Sequence, residues 1–179
     1  MPALQIRLLA LIAMVFGLSA CSTVPEKPLQ TVEYVDIQRF MGDWYVIANI
    51  PTFIERDAHN AVESYRLADD GSIETTFTFR KDSFDGPQKR YNPRGFIRNR
   101  ETNAEWGMSF LWPFKAEYLI LYLDADYTVT VIGRSKRDYV WIMSRTPGMA
   151  ESEYRRILSF LDANGYDTSL IGKVPQSWN

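Results

Sequence analysis

Between Trp44 and Thr146 the chain repeats one pattern: short runs rich in β-branched and aromatic residues, separated by stretches with turn chemistry. The runs are Trp44–Ile50, Val62–Leu67, Ser72–Arg80, Arg90–Arg98, Trp106–Trp112, Glu117–Leu123, Tyr127–Arg134 and Tyr139–Arg145. Ala68-Asp69-Asp70-Gly71 carries the Asp-Gly pair of a tight hairpin, Asp85-Gly86-Pro87 marks a further turn, and Pro93 weakens the fourth run. Eight strands with short links lie beside their chain neighbours. They either close into an antiparallel up-and-down barrel or stack as a flat sandwich, and periodicity alone does not separate the two.

After Pro147-Gly148 the period changes. Tyr154, Ile157, Leu158 and Leu161 form one apolar stripe at helical spacing, with Glu151 and Glu153 at its start, Arg155 in reach of Glu151, and Asn164-Gly165 as a stop. The spacing predicts a helix over 150–164 packed outside the strands. The residues through Leu170-Ile171 are expected to add a short edge strand.

The N-terminus is patterned differently. Arg7 precedes an uncharged apolar run from Leu8 to Leu18, shorter than the ~20 helical residues that span a bilayer. A basic start, a short apolar middle and small residues at the end read as an export signal over residues 1–20. Leu18-Ser19-Ala20-Cys21 resembles the bacterial lipobox, which implies cleavage before Cys21 and lipidation of that residue. Ser22 after the Cys implies the outer membrane, with acyl chains as the anchor. Residues 21–33, with Pro25 and Pro28, are expected to be a lipidated tether, leaving 34–179 as one domain.

Composition narrows the chemistry. A formal charge of −2 gives no bulk reason to bind nucleic acid. One Cys and one His (His59) leave no metal-spaced cluster and no nucleophile–base pair, and no Gly-x-Ser-x-Gly occurs. No metal or cofactor is expected. Asp124 and Asp126 flank a turn and are expected to bond its backbone. Aromatic residues make up 14% of the chain, an excess that needs a place in the fold.

Three motifs in order supply that place. Gly42-Asp43-Trp44-Tyr45 before the first strand, Asp124-Ala125-Asp126-Tyr127 between two strands, and Arg145 at the end of the eighth resemble the three motifs of the lipocalins. Ala125 departs from the usual Thr of the Thr-Asp-Tyr in the second motif. With the lipobox, Trp141–Pro147 looks like the bacterial outer-membrane lipocalins. The resemblance implies an eight-stranded antiparallel up-and-down β-barrel, the lipocalin calyx, with one C-terminal α-helix packed outside. It also implies that Gly42, Trp44 and Arg145 close one barrel end, the guanidinium stacked on the indole.

Side chains alternate along a strand, so an inward Arg145 puts Met143, Trp141 and Tyr139 inward too. Tyr118, Ile120 and Tyr122 share a face, as do Phe77 with Phe79 and Met108 with Phe110. Tyr118 matches a pocket aromatic of the bacterial lipocalins. These residues either fill the barrel or line a greasy cavity, and the resemblance implies the cavity. No Asp, Glu or Lys falls on the inferred inward faces. The expected ligand is therefore an apolar lipid, a fatty acid or lysophospholipid, stored or transported at the outer membrane.

Lys89, Arg90, Arg94, Arg98 and Arg100 are either a head-group site at the mouth or a solvated face. Residues 51–61 are the expected lid, with Phe53 and Ile54 facing ligand or buried under the loop. A ligand-free structural envelope lipoprotein and a lipid-modifying enzyme on the same fold stay as alternatives. Pairing into a homodimer stays open, with an unaccounted apolar patch as its sign.

Overall fold

The computed structural model describes residues 27–111 and 113–178; the expected export signal, Cys21, the first part of the tether, and Trp112 lie outside the described residues. A one-turn helix α1 (Ile37–Phe40) precedes strands β1 (Gly42–Ile50), β2 (Ala58–Leu67), β3 (Ile73–Lys81), β4 (Gln88–Tyr91), β5 (Arg94–Ile97), β6 (Glu105–Leu111), β7 (Phe114–Leu123), β8 (Val129–Gly133) and β9 (Val140–Ser144). Helix α2 (Glu151–Ala163), a 3-10 turn (Thr168–Leu170) and β10 (Gly172–Lys173) complete the order.

Each strand pairs antiparallel with its neighbour, and β1 pairs with both β2 and β9, so the sheet closes on itself. Closure settles the choice between barrel and sandwich. The fourth predicted strand is split: β4 pairs with the later part of β3 and β5 with its start, because Pro93 has no N–H for the ladder. The predicted edge strand falls at 172–173, pairing with Ala48 and Asn49 of β1, while Leu170 belongs to the 3-10 turn.

Two faces of the wall separate two cores. Inward, Trp44, Val46, Tyr65, Phe77, Trp106, Tyr118, Ile120 and Met143 share one cluster. Outward, Ala48, Leu119, Leu121, Val131, Val140 and Ile142 meet Tyr154, Ile157 and Leu161 of α2. The stripe read from the sequence is thus the buried face of α2. Gly165 ends the helix at φ +83°, where the Tyr166 N–H donates to Leu161 O at 3.1 Å. Glu151 reaches Lys173 of β10 at 2.9 Å rather than Arg155, because β10 lies alongside the helix start.

A register shift between Ile120 and Tyr122 turns Tyr122 out of the barrel, against Phe160 and within 2.8 Å of Arg156. The expected inward face of that strand therefore stops at Ile120. Residues expected in the tether lie against the wall: the Val32 N–H donates to Ile120 O at 3.0 Å, and Lys27 O accepts from Arg137 at 2.6 Å. The C-terminal tail laces β1 to β2 where their direct pairing has ended, with the Gln176 amide donating to Val46 O at 2.8 Å and to Ala61 O at 3.2 Å.

One end of the barrel is shut by Arg145. Its guanidinium lies 3.8 Å over the Trp44 ring and donates to the carbonyls of Arg39, Phe40, Met41 and Asp43 at 2.8–3.1 Å, and to Tyr127 O at 3.2 Å. The Trp44 Nε1–H donates to Phe40 O at 2.9 Å. Gly42 has φ +95°, a backbone conformation that calls for glycine, and it lies directly beside Arg145 Nη1. Trp44 is completely buried. The Trp44→Ala variant is expected to lose about 3–5 kcal/mol of unfolding free energy in denaturant titration.

Candidate functional site

The barrel interior divides in two. Toward the closed end it is solid: Phe40 packs on Trp44, Tyr65 and Trp106 at ring distances of 5.1–5.7 Å, and Trp106 stacks on Tyr118 at 5.2 Å. The Trp106 Nε1–H is satisfied by Asn103 O at 2.7 Å. Toward the other end lies a cavity of about 280 Å³. That is just under the ~300–1,000 Å³ usual for a drug-sized ligand.

Of the residues expected around a ligand, Phe77, Phe110, Tyr139 and Trp141 line this cavity. Met108, Tyr118, Ile120 and Met143 also point inward but are buried in the packed core, and Phe79 packs between Phe77 and Tyr91; none of the five lines the cavity. Phe53 and Ile54 of the 51–57 link contribute to the lining, with Phe53 79% exposed at the rim. Phe110 and Phe114, 55% and 73% exposed, leave further apolar surface around β6 and β7 at the same end.

The expectation of an acid-free interior is overturned. Glu63 on β2 and Glu55 on the 51–57 link both line the cavity, joined at its mouth by Thr52, Glu117 and Arg134. Glu63 stands opposite Trp44 in the β1–β2 ladder and so shares the inward face with Ala61 and Tyr65. The alternation along β2 conceals this. Outward Val62 is also buried, and Tyr45, its cross-strand partner, carries Trp178 edge-on at 5.3 Å. Both faces of β2 thus hold apolar side chains.

The two carboxyls differ in how they are held. Glu55 is buried and accepts from Asn49 Nδ2 at 3.1 Å, Trp141 Nε1 at 2.9 Å and the Thr52 N–H at 3.1 Å. Three donors suit an ionised carboxylate. Glu63 accepts from the Tyr65 hydroxyl, which is 2.6 Å from the Tyr118 hydroxyl. Burial, reinforced by the charge of Glu55, pushes Glu63 up to about 8. Burial, with Glu63 beside it, pushes the Tyr118 phenol well above its ordinary value.

The basic stretch divides by position. Arg94 bonds Ser72 at 2.7 Å and Asp70 at 3.1 Å, at the closed end, while Arg90 lies over Thr76 and Asn92. Arg98 runs along the outer face over Gly107. Arg94 is thus taken up at the closed end, while β4, with Lys89 opposite Phe79 and Arg90 opposite Thr78, pairs with the half of β3 that runs toward the 51–57 link. Asp124 bonds the turn backbone, accepting from the Thr128 and Val129 N–H groups at 2.7 Å each. Among the described residues no group of three or more His, Cys, Asp or Glu could hold a metal ion. A second cleft, about 530 Å³ and open to solvent, runs along the tail between β1 and β2 and shares Glu55 with the cavity.

A carboxyl with a raised folded-state pKa binds its proton more tightly when folded, so stability falls as pH rises through the window from about 4.5 to about 8. Glu63 is expected to impose a slope of up to about 1.4 kcal/mol per pH unit there. Glu63→Gln, a neutral isostere, should flatten it, measured by denaturant titration at pH 5 to 8.5.

The lipocalin-like domain family matches residues 35–176 of the chain. The outer membrane lipoprotein Blc of Escherichia coli K12 is 31% identical over 184 aligned residues, covering 95% of this chain and 98% of that protein. Temperature-induced lipocalin-1 of Arabidopsis thaliana is 30% identical, covering 85% of each chain. Insecticyanin from the tobacco hornworm Manduca sexta superposes with a TM-score of 0.67 at 15% identity, covering 84% of this chain and 86% of that one. With a closed barrel, an arginine-capped end and an apolar cavity at the other, the chain belongs to the lipocalin family.

Proposed function

We propose that this lipocalin stores or transports a single-chain lipid at the bacterial outer membrane, lysophospholipid in preference to free fatty acid. The observation that carries the reading is the cavity of about 280 Å³ walled by Phe77, Tyr139, Trp141 and Ile54 above a solid aromatic floor. A volume of about 280 Å³ suits the inner part of one acyl chain, with the head group left outside. The acids inside it weigh against a carboxylate entering head-first. The contacts proposed are Phe77, Phe110, Tyr139 and Trp141, with Phe53 and Ile54 from the link.

The outer-membrane address rests on the lipobox-like Leu18-Ser19-Ala20-Cys21 and on likeness to relatives named outer membrane lipoproteins. Lipidated Cys21 would be the anchor, and apolar Phe53, Phe110 and Phe114 would remain beside the mouth for lipid or for a second copy of the chain. No positioned nucleophile–base pair supports an enzyme among the described residues.

Native mass spectrometry of the full-length protein with 1-palmitoyl lysophospholipid should show a one-to-one complex, and the same spectrum reads whether two chains pair. Ala116→Trp, which sets a ring across the rim, should weaken binding at least tenfold. Absence of any complex would overturn the carrier reading and leave the structural envelope protein. Separately, Cys21→Ser should move the protein from the membrane pellet to the soluble fraction; unchanged pelleting would refute the anchor.

A further inference from the structure

Glu63 leaves an acceptor unused. One carboxyl oxygen takes the Tyr65 hydroxyl, while the other has no partner among the described residues and belongs to a side chain that lines the cavity. The other two acids of the lining are committed. Glu55 holds three donors, and Glu117 accepts from the Ser135 N–H at 2.6 Å and its hydroxyl at 2.9 Å. Arg134, the one cation of the lining among the described residues, pairs with Asp138 at 3.1 Å and lies over Tyr139. The cavity thus holds three acids, one base already paired outside it, and apolar walls. A free acceptor in such a setting asks for a donor, and the surrounding charge asks for a positive one.

We propose that the cavity also takes amphiphilic amines: a primary ammonium on a single apolar chain, seated against Glu63, with the chain running past Phe77 and Trp141 toward the mouth. The ammonium offers three donors, one of them for the free Glu63 oxygen, while the Tyr65 hydroxyl, itself 2.6 Å from that of Tyr118, holds the other oxygen from behind the cavity wall. A carboxylate in the same place meets Glu55 and Glu63, and an alcohol brings a donor without charge.

Glu63 keeps its proton at neutral pH through burial and the charge of Glu55. Seating the cation makes the ionised form the stable one. The neutral acid and the ammonium become a carboxylate–ammonium pair, and one proton leaves to solvent. Amine affinity therefore rises with pH, approaching tenfold per unit between pH 6 and 7 and levelling off above about 8, while alcohol affinity does not. The other titratable groups around Glu63 are Glu55, Tyr65, Tyr118, Glu117, Arg134 and Tyr139.

The inference rests on the cavity holding an apolar chain, and its test separates the two claims. Octylamine, octanol and octanoate are titrated by calorimetry into the full-length protein in lipid nanodiscs, with empty nanodiscs as the blank. Octylamine should bind at least tenfold tighter than octanol, with octanoate weakest. Its heat should vary with buffer ionisation enthalpy as release of one proton requires. Glu63→Gln should remove both the preference and the proton release. The wild-type pH series gives an independent reading should that variant not fold. Equal affinity for octylamine and octanol, or a pH-independent ratio, overturns the amine site while lysophospholipid binding stands. Failure of lysophospholipid and of all three probes overturns both.

Discussion

The stacking of Arg145 on Trp44 is the constraint from which the interior follows. A half-buried guanidinium has five donors to satisfy, and here they go to backbone carbonyls of the entering chain and of the β7–β8 turn rather than to a carboxylate. Burial pulls the Arg145 pKa down and Asp43 pushes it back. The same carbonyls position α1, and α1 delivers Phe40 into the barrel against Trp44, Tyr65 and Trp106. That aromatic floor consumes the lower half of the lumen. What remains hollow is the upper half, and its modest volume is a consequence of how the lower end is shut.

The hollow half is chemically mixed. Its walls are rings and aliphatic chains, yet it encloses two carboxyls in different states: Glu55 saturated with donors, Glu63 short of one. A saturated carboxylate ties the 51–57 link to β1 and β9 through Asn49 and Trp141, so it has structural employment. Glu63 has a single partner among the described residues, and the cost of burying it is met by keeping its proton. A group held this way adds little to the fold and much to discrimination between ligands.

Architecture was largely legible in the residues, and the interior only partly. Strand positions followed the turn chemistry of Asp70-Gly71 and Asp85-Gly86-Pro87, and α2 followed its stripe, because those signals are local. The inward faces of β3 and β9 followed from alternation, since Phe77, Tyr139, Trp141 and Met143 share the parity of their neighbours. Tyr122 escaped because a register shift after Ile120 reverses the parity, and nothing in Leu119-Ile120-Leu121-Tyr122 announces it. Glu63 escaped for a different reason. The outward Val62 is covered as well, so β2 lacks the contrast that separates inside from outside. The division between floor and cavity depends on Phe40 swinging in from α1, a long-range contact without a sequence signature.

The lacing of Gln176 between Val46 and Ala61 gives the carboxyl end of the chain an unexpected standing. Those two carbonyls belong to staves that have already parted company, and one amide spans the gap between them. Asn60 reinforces the stitch: its side-chain oxygen takes the Ser177 N–H at 2.7 Å, and its backbone N–H goes to Pro175 O at 2.9 Å. A peptide clipped after Val174 would therefore leave a lateral slit in the wall, connecting the solvent-filled groove outside to the region of Glu55. Fusions placed at that terminus act on the seam of the vessel, and side entry through it would compete with passage through the mouth.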